Sequence, residues 1–275
     1  MALETEKNRL ADLAGKVVLI TGASSGLGRE FAVSFAKQGC NVVVTARRLD
    51  LLHSLCNQIE QLNSSSKAVA VQLDVSSSET HIDLAIEKAW HSFGSIDILV
   101  NNAGYRGSVK SPLQYEEEEW NTVINTNLRG AWLVSKAIGN RMQDAGKKGS
   151  IINISSTASV NRGNLPRSMI YAISKVGLNQ LTKAMALELG RYDIRVNSIA
   201  AGLFKSEITK GVFENDWFYK VAERIVPLQK WGSTDPDLTS LLLLLASNSS
   251  SYVTGNIFIL DGGHTIPGFP LWSSL

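Results

Sequence analysis

Cysteine is nearly absent. Cys40 and Cys56 are the only two in 275 residues, sixteen positions apart and in no C-x-x-C pair, which excludes a disulfide framework and fits a reducing compartment. The four histidines, His53, His81, His91 and His264, are dispersed, so no metal site is expected. Charge of one sign is lacking too. The 27 Lys and Arg against 25 Asp and Glu leave a net +2, scattered rather than striped, which argues against a nucleic-acid partner. The longest dense apolar run, Leu241 to Ala246, falls far short of the ~20 residues of a membrane span and reads as buried helix. Met1 to Ala14 lacks the apolar stretch of a secretory leader and reads as a polar N-terminal extension. The sequons at Asn63, Asn153 and Asn248 therefore carry little weight. A cytoplasmic location is expected. The alternative is the peroxisome, because Ser273-Ser274-Leu275 resembles an S-K-L address without its basic middle residue.

What is present is ordinary globular composition, 44% hydrophobic and 19% charged, in a length suited to one domain. Apolar, β-branched runs recur at 17–21, 41–45, 68–73, 96–100, 150–154, 195–199 and 256–260. Helical patterns fill the gaps at 29–38, 51–62, 79–93, 117–144, 171–190 and 234–246. Such alternation predicts an α/β fold from residue 15 onward. It should be a single doubly wound Rossmann-type domain, a seven-stranded parallel sheet with helices on both faces, binding ligands beyond the carboxyl ends of its strands.

Between the first strand and first helix stands T-G-A-S-S-G-L-G, Thr21 to Gly28. Glycine permits a tight turn and close approach of backbone to a pyrophosphate, and a helix N-terminus favours negative charge. Gly22 would make the turn, Gly26 the close approach, and Gly28 the helix-to-sheet packing, with Ser24, Ser25 and Leu27 between them. A site for NAD(H) would place a carboxylate at the end of the second strand. Here Ala46 is followed by Arg47 and Arg48. Guanidinium groups suit a 2′-phosphate, so NADP(H) is expected over NAD(H), with Arg47 favoured over Arg48.

Tyr171 and Lys175, in Y-A-I-S-K, are four apart on a predicted helix and so share one face. A neighbouring ammonium should draw the phenol toward ionisation and suit it to proton transfer with a carbonyl or alcohol oxygen. Taken in order, T-G-A-S-S-G-L-G, Asp74-Val75, N-N-A-G at Asn101 to Gly104, Asn127 in N-L-R-G, N-I-S-S at Asn153 to Ser156, then Tyr171 and Lys175 resemble the motifs of the short-chain dehydrogenase/reductase family over nearly the whole chain. The pattern is most similar to 3-oxoacyl-carrier-protein reductases. That resemblance implies a small-molecule carbonyl or alcohol substrate, with Tyr171 as proton donor and Ser156 holding the substrate oxygen. It implies that Asn127 anchors a water relay to Lys175, and that Lys175 also holds the nicotinamide ribose. Asp74 and Val75 would meet the adenine, while Asn101, Ala103, Gly104, Gly202 and Ser206 would line the cofactor. Ser155 and Ser159 remain alternatives to Ser156.

Two departures stand out. The family has proline where Ala201 precedes Gly202, which should loosen that turn, and the stretch between Ser156 and Tyr171 is longer than usual. Residues 203–232 read as a helical lid whose aromatics, Phe204, Phe213, Trp217, Phe218 and Tyr219, either pack the lid or favour an apolar substrate. Arg106, Arg162 and Arg167 could meet an anionic handle such as that of a coenzyme A or phosphopantetheine thioester; steroid-like and small ketones are the alternative substrates. The long helices carry Trp132, Leu133, Ile138, Leu178, Leu181 and Met185, and the resemblance implies a homodimer or homotetramer through them. Two rival functions are a hydrolase, since G-A-S-S-G fits a nucleophile elbow at Ser24 with His264 as base, and a non-catalytic dinucleotide sensor or scaffold.

Overall fold

The computed structural model describes residues 10–62, 65–160, 166–204 and 209–266. Asn63, Arg162, Ser206 and the C-terminal tripeptide 273–275 lie outside them.

The β-branched runs form seven parallel strands: β1 (Val17–Thr21), β2 (Asn41–Ala46), β3 (Ala68–Gln72), β4 (Ile98–Asn101), β5 (Gly149–Ser156), β6 (Ile194–Ala201) and β7 (Ile257–Leu260). Their order in the sheet is β3-β2-β1-β4-β5-β6-β7. Helices connect them: α1 (Gly26–Lys37), α2 (Leu49–Leu62), α3 (Glu79–Phe93), α4 (Glu117–Ile124), α5 (Gly130–Asp144), α6 (Met169–Leu189), α7 (Lys210–Phe213), α8 (Asp216–Ile225) and α9 (Thr239–Ala246).

Side chains alternate across a strand, so a sheet covered on both faces needs apolar residues at every position rather than every second one. Strand β1 shows it. Val18 and Ile20 join Val42 and Val44 in a core closed by Phe31 and Phe35 of α1, Leu52 and Leu55 of α2, and Leu242 and Leu245 of α9. Val17 and Leu19 face the opposite core with Val43, closed by Ile82 and Ile86 of α3 and by Leu133 and Ile138 of α5. Both cysteines lie in the first core. Burial pushes the Cys40 thiol up to about 12 and the Cys56 thiol to about 11, so neither forms a thiolate near neutrality.

Three sequence expectations change. The helix expected over 117–144 is divided by a wide turn, Asn125–Arg129, in which the Gly130 N–H reaches back five residues to Asn125 O. Of the six apolar residues expected at a helix-to-helix interface, Leu133, Ile138 and Leu178 are buried inside the chain, and Leu181 and Met185 are only partly exposed. Trp132 stays exposed, joined on α6 by Ile173, Val176 and Leu187, the last 83% exposed. The N-terminal extension is not wholly peripheral either, since Leu13 is fully buried in the core beside Cys40, whose thiol donates to Leu13 O at 3.2 Å.

Asp12 fastens this segment to the far end of the chain. Its carboxylate accepts from Lys16 Nζ (2.8 Å), Ser247 Oγ (2.6 Å) and the Asn248 N–H (2.8 Å). Burial opposes ionisation, but the bonds from Lys16, Ser247 and Asn248 outweigh it and hold the group at about 2 instead of 3.8. A carboxylate with a lowered folded-state pKa contributes its stability above its unfolded value and loses it as pH falls through the folded one. The Asp12→Asn variant should therefore lose about 1 kcal/mol at neutral pH, after solvent screening. Its denaturant midpoint should fall less steeply than that of wild type between about pH 4 and pH 2.

Candidate active site

Every strand that carries a candidate residue delivers it at the same edge of the sheet. Thr21 ends β1, Arg47 and Arg48 follow β2, Asp74 and Val75 follow β3, Asn101 ends β4, Ser156 ends β5 and Gly202 follows β6. The strand order reverses between β1 and β4, and such a reversal opens a ligand crevice at the carboxyl edge.

One wall of that crevice is the glycine turn. Gly22 has φ +67, and a Cβ there would stand 2.8 Å from Ala103 Cα; a Cβ on Gly28 would stand 2.5 Å from Gly22 O. Side chains are excluded at both positions because the chain after β4 lies directly against the turn. Thr21 Oγ1 accepts the N–H groups of Asn102 and Ala103 at 3.0 Å each. Asn102 Nδ2 returns bonds to Thr21 O (2.9 Å) and Gly22 O (3.2 Å). Ser25 stands at the N-cap position of α1, whose first residues Gly26, Leu27 and Gly28 present the N-terminal N–H groups that suit an anion. A pyrophosphate fits this cradle of small residues.

Two pairs of adjacent residues among the expected cofactor contacts differ in how they are placed. Asn101 was expected to line the cofactor, but its amide is buried, donating to Ser135 Oγ (2.8 Å) and Asn153 Oδ1 (2.9 Å); Asn102 is the one that meets the turn. Arg47 was favoured over Arg48. Both are exposed; the Arg47 carbonyl accepts from Gln72 Nε2 (3.0 Å), while Arg48 Nη2 reaches back to Ser24 Oγ (2.9 Å) and Ser25 Oγ (2.8 Å). Odd and even positions leave a strand end in opposite directions, and the sequence alone does not say which one faces the crevice. Asp74 Oδ1 is held by the Ser76 N–H (2.9 Å) and Ser76 Oγ (2.7 Å), and Val75 packs so closely on α5 that a Cβ on Gly130 would stand 2.5 Å from Val75 O.

The opposite wall holds the polar cluster. Ser156 ends β5, caps the turn Thr157–Ser159 through the Ala158 N–H (3.1 Å), and hydrogen-bonds the Tyr171 phenol. Ser155 and Ser159 are engaged elsewhere. Ser155 Oγ donates to Lys175 O (3.3 Å), and Ser159 Oγ takes a bond from Asn179 Nδ2 (2.7 Å). Lys175, one turn beyond Tyr171 on α6, is buried, with Nζ donating to Ile154 O (2.8 Å) and lying 5.7 Å from the Tyr171 ring centroid. A Cβ on Gly104 would stand 3.7 Å from both Lys175 Nζ and Asn127 Oδ1, so the three residues converge.

The expectation of an acidified phenol does not hold for the free protein. Burial raises the Tyr171 pKa above its ordinary value, with Ser156 and the Arg106 charge pulling the other way. Burial also lowers Lys175 to about 8, so the ammonium is itself only marginally favoured and is committed to the Ile154 carbonyl. The Asn127 side chain is likewise committed. It accepts the Tyr105 N–H (2.7 Å) and donates to Tyr105 O (2.9 Å) and Ser174 Oγ (3.0 Å), while Ser174 Oγ donates to Tyr171 O (2.7 Å). Asn127 therefore ties the loop after β4 to the turn of α6 that carries Tyr171 and Ser174.

Around the rim, the turn without proline is pinned after all, since the Gly202 N–H donates to Leu260 O (2.8 Å) and a Cβ on Gly202 would strike Asp261. The described aromatics of residues 203–232 mainly pack one another. Phe204, Phe213 and Phe218 are buried, and Trp231 stacks on Phe218 at 4.6 Å. Those three rings give no support to an apolar substrate; Trp217 and Tyr219 remain exposed. Nor does the turn support a hydrolase, because the partner of Ser24 Oγ is a guanidinium, which cannot take its proton. Among the described residues no helix is long and apolar enough to cross a membrane, and no group of His, Cys, Asp and Glu could hold a metal.

Comparison with known proteins agrees with this geometry. Residues 22–265 match the family described as enoyl-(acyl carrier protein) reductase. The chain is 37% identical over 264 residues to the 5-keto-D-gluconate 5-reductase of Escherichia coli K12, covering 93% of this chain and 98% of that protein. It is similar in structure to a short-chain type dehydrogenase/reductase from Mycobacterium marinum (TM-score 0.86, 35% identity, 94% and 98% of the two chains). A gluconate 5-dehydrogenase from Burkholderia cenocepacia, in complex with NADP and tartrate, aligns equally well (TM-score 0.86, 30% identity, 94% and 99%). With sheet order, glycine cradle and polar cluster all in agreement, the chain belongs to the short-chain dehydrogenase/reductase family, oxidoreductases that interconvert carbonyls and alcohols with a nicotinamide dinucleotide.

Proposed function

We propose that the chain reduces a small carbonyl compound to an alcohol, or runs the reverse, with NADP(H) held between the glycine turn and the polar cluster. The convergence of Ser156, Tyr171 and Lys175 beside that turn carries the reading. The cradle from Thr21 to Gly28 would take the pyrophosphate, Arg48 with Ser24 and Ser25 the 2′-phosphate, and Asp74 with Val75 the adenine. Ala103, Gly104 and Gly202 would line the remainder, and Lys175 would hold the ribose. A bound reduced nicotinamide supplies hydride. The protein's own work is at the substrate oxygen. Ser156 Oγ donates a hydrogen bond that places the oxygen beside Tyr171, and the phenol gives up its proton as charge develops there. Burial keeps the phenol protonated in the resting protein, which suits a proton donor. Lys175, when charged, stabilises the phenolate left behind, and Asn127 positions the loop that closes over both. Trp132, Ile173, Val176 and Leu187 leave an apolar face on α5 and α6 that a second copy of the chain would cover, in keeping with a homodimer or homotetramer.

Three measurements test this. Tyr171→Phe should cut turnover by about 10²–10⁴-fold while NADPH binding, followed by fluorescence, stays near wild type; appreciable residual turnover would remove Tyr171 from its role, and no turnover of any carbonyl by wild type would favour the sensor. For reduction, kcat/KM should hold below pH 8 and decline above it as Lys175 loses its proton. In Lys175→Arg, whose guanidinium stays charged, the remaining activity should lack that limb. Wild type should prefer NADPH to NADH, and Arg48→Ala should erase roughly tenfold or more of that preference, whereas Arg47→Ala should not; a preference for NADH would overturn the assignment.

A further inference from the structure

We propose that Arg106 sets substrate specificity by binding a carboxylate, or an equally compact anion, a few bonds from the reacting carbonyl, so that the substrate is a keto acid or its hydroxy acid. This rests on the reductase reading above and narrows it.

The placement of Arg106 is fixed from two sides. Asn127 grips both the N–H and the C=O of Tyr105, the residue immediately before it. On the other side, Arg106 Nη2 donates to Ser168 Oγ at 3.4 Å, and Ser168 is the cap of α6, three residues ahead of Tyr171. The flanking strands of loop are stitched together as well. The Lys110 N–H donates to Arg167 O (3.0 Å), and Tyr115 Oη bonds Ser108 O and Arg167 O at 2.9 Å each. A long, flexible side chain is thus held at the edge of the reacting site.

Its charge lacks a partner. Among the described residues no carboxylate pairs with Arg106, and its Nε is buried with no hydrogen-bond acceptor. The nearby Lys110, by contrast, is matched by Glu119 at 3.1 Å. The planar guanidinium fork, of which Nη2 alone is bonded among the described residues, matches a carboxylate better than any other common group. Ser168 precedes Tyr171 by three residues at the start of α6, so the bond from Arg106 Nη2 sets the guanidinium at the same end of that helix as the proton donor. That proximity separates the substrate classes. The phosphates of a carrier arm hang many bonds away from the thioester's 3-oxo group, and a steroid offers no anion at all. A short keto acid brings its charge to the required position.

The test is a series of 2-, 3-, 4- and 5-oxo acids, each compared with its methyl ester, with NADPH and the full chain. Wild type should favour at least one acid over its ester by roughly tenfold to a hundredfold in kcat/KM, the size expected of a charge-assisted pair. Arg106→Gln should bring that ratio toward one, mainly through KM of the acid, and Arg106→Lys should restore part of it. Tartrate titrated into the NADP⁺-loaded protein gives a readout free of turnover: wild type should bind at least tenfold more tightly than Arg106→Gln. Equal rates on acids and esters, an unchanged ratio in Arg106→Gln, or equal tartrate binding would overturn this proposal and leave the reductase standing. Failure of wild type on every acid and ester would also overturn this proposal, and only failure on a wider panel of carbonyls as well would take the reductase reading with it.

Discussion

The clasp between the ends of β1 and β4 is the constraint on which the site depends. These strands are neighbours in the sheet although distant in sequence, and their helices leave in opposite directions. At that parting Thr21 and Asn102 exchange bonds through hydroxyl, amide and backbone. The exchange fixes the glycine turn on one side and starts the loop to Arg106 on the other. Neither a pyrophosphate cradle nor a substrate wall could hold its shape if the two strand ends moved independently. Buried polar groups that bond one another restrict the geometry, and a second set lies one layer deeper in Asn101, Ser135, Asn153 and Thr182, with Asn101 Oδ1 left without a hydrogen-bond partner.

Burial carries the chemistry of the other wall. Desolvation shifts the phenol and the ammonium in opposite directions, keeping the phenol protonated and bringing the loss of the lysine proton close to neutrality. Charge is then cheap to create only when something arrives to share it. A lysine exposed to water would be charged but screened; one bonded to Ile154 O under α6 responds to whatever enters the crevice.

The architecture could be read from the sequence because its signals are local. A strand buried on both faces must be continuously apolar, and a phosphate turn must be glycine, so the strand positions and the turn from Thr21 to Gly28 follow from residue type. The ordered motifs brought Ser156, Tyr171, Lys175 and Asn127 together. Direction was not legible. Whether Asn101 or Asn102, or Arg47 or Arg48, faces the crevice depends on the phase in which the chain leaves a strand, and adjacent like residues hide it. The resting ionisation of Tyr171 also escaped, since the desolvation that governs it comes from the whole enclosing fold. The same holds for the aromatics of residues 203–232, whose packing partners are each other.

The wide turn at Asn125–Arg129 has a geometric outcome of its own. An α-helix advances roughly 100° per residue, so inserting one extra residue into a turn swings everything beyond it by about a quarter of a circle. The rod formed by α4 and α5 thereby acquires two inward faces. Ahead of the insertion, Val123 meets the backbone at Gly107, and within it Asn127 grips Tyr105; beyond it, Leu133, Val134 and Ile138 bed onto the sheet. One half of the rod thus backs the sheet, while the other, through Asn127 and Tyr105, holds the loop that leads to Arg106.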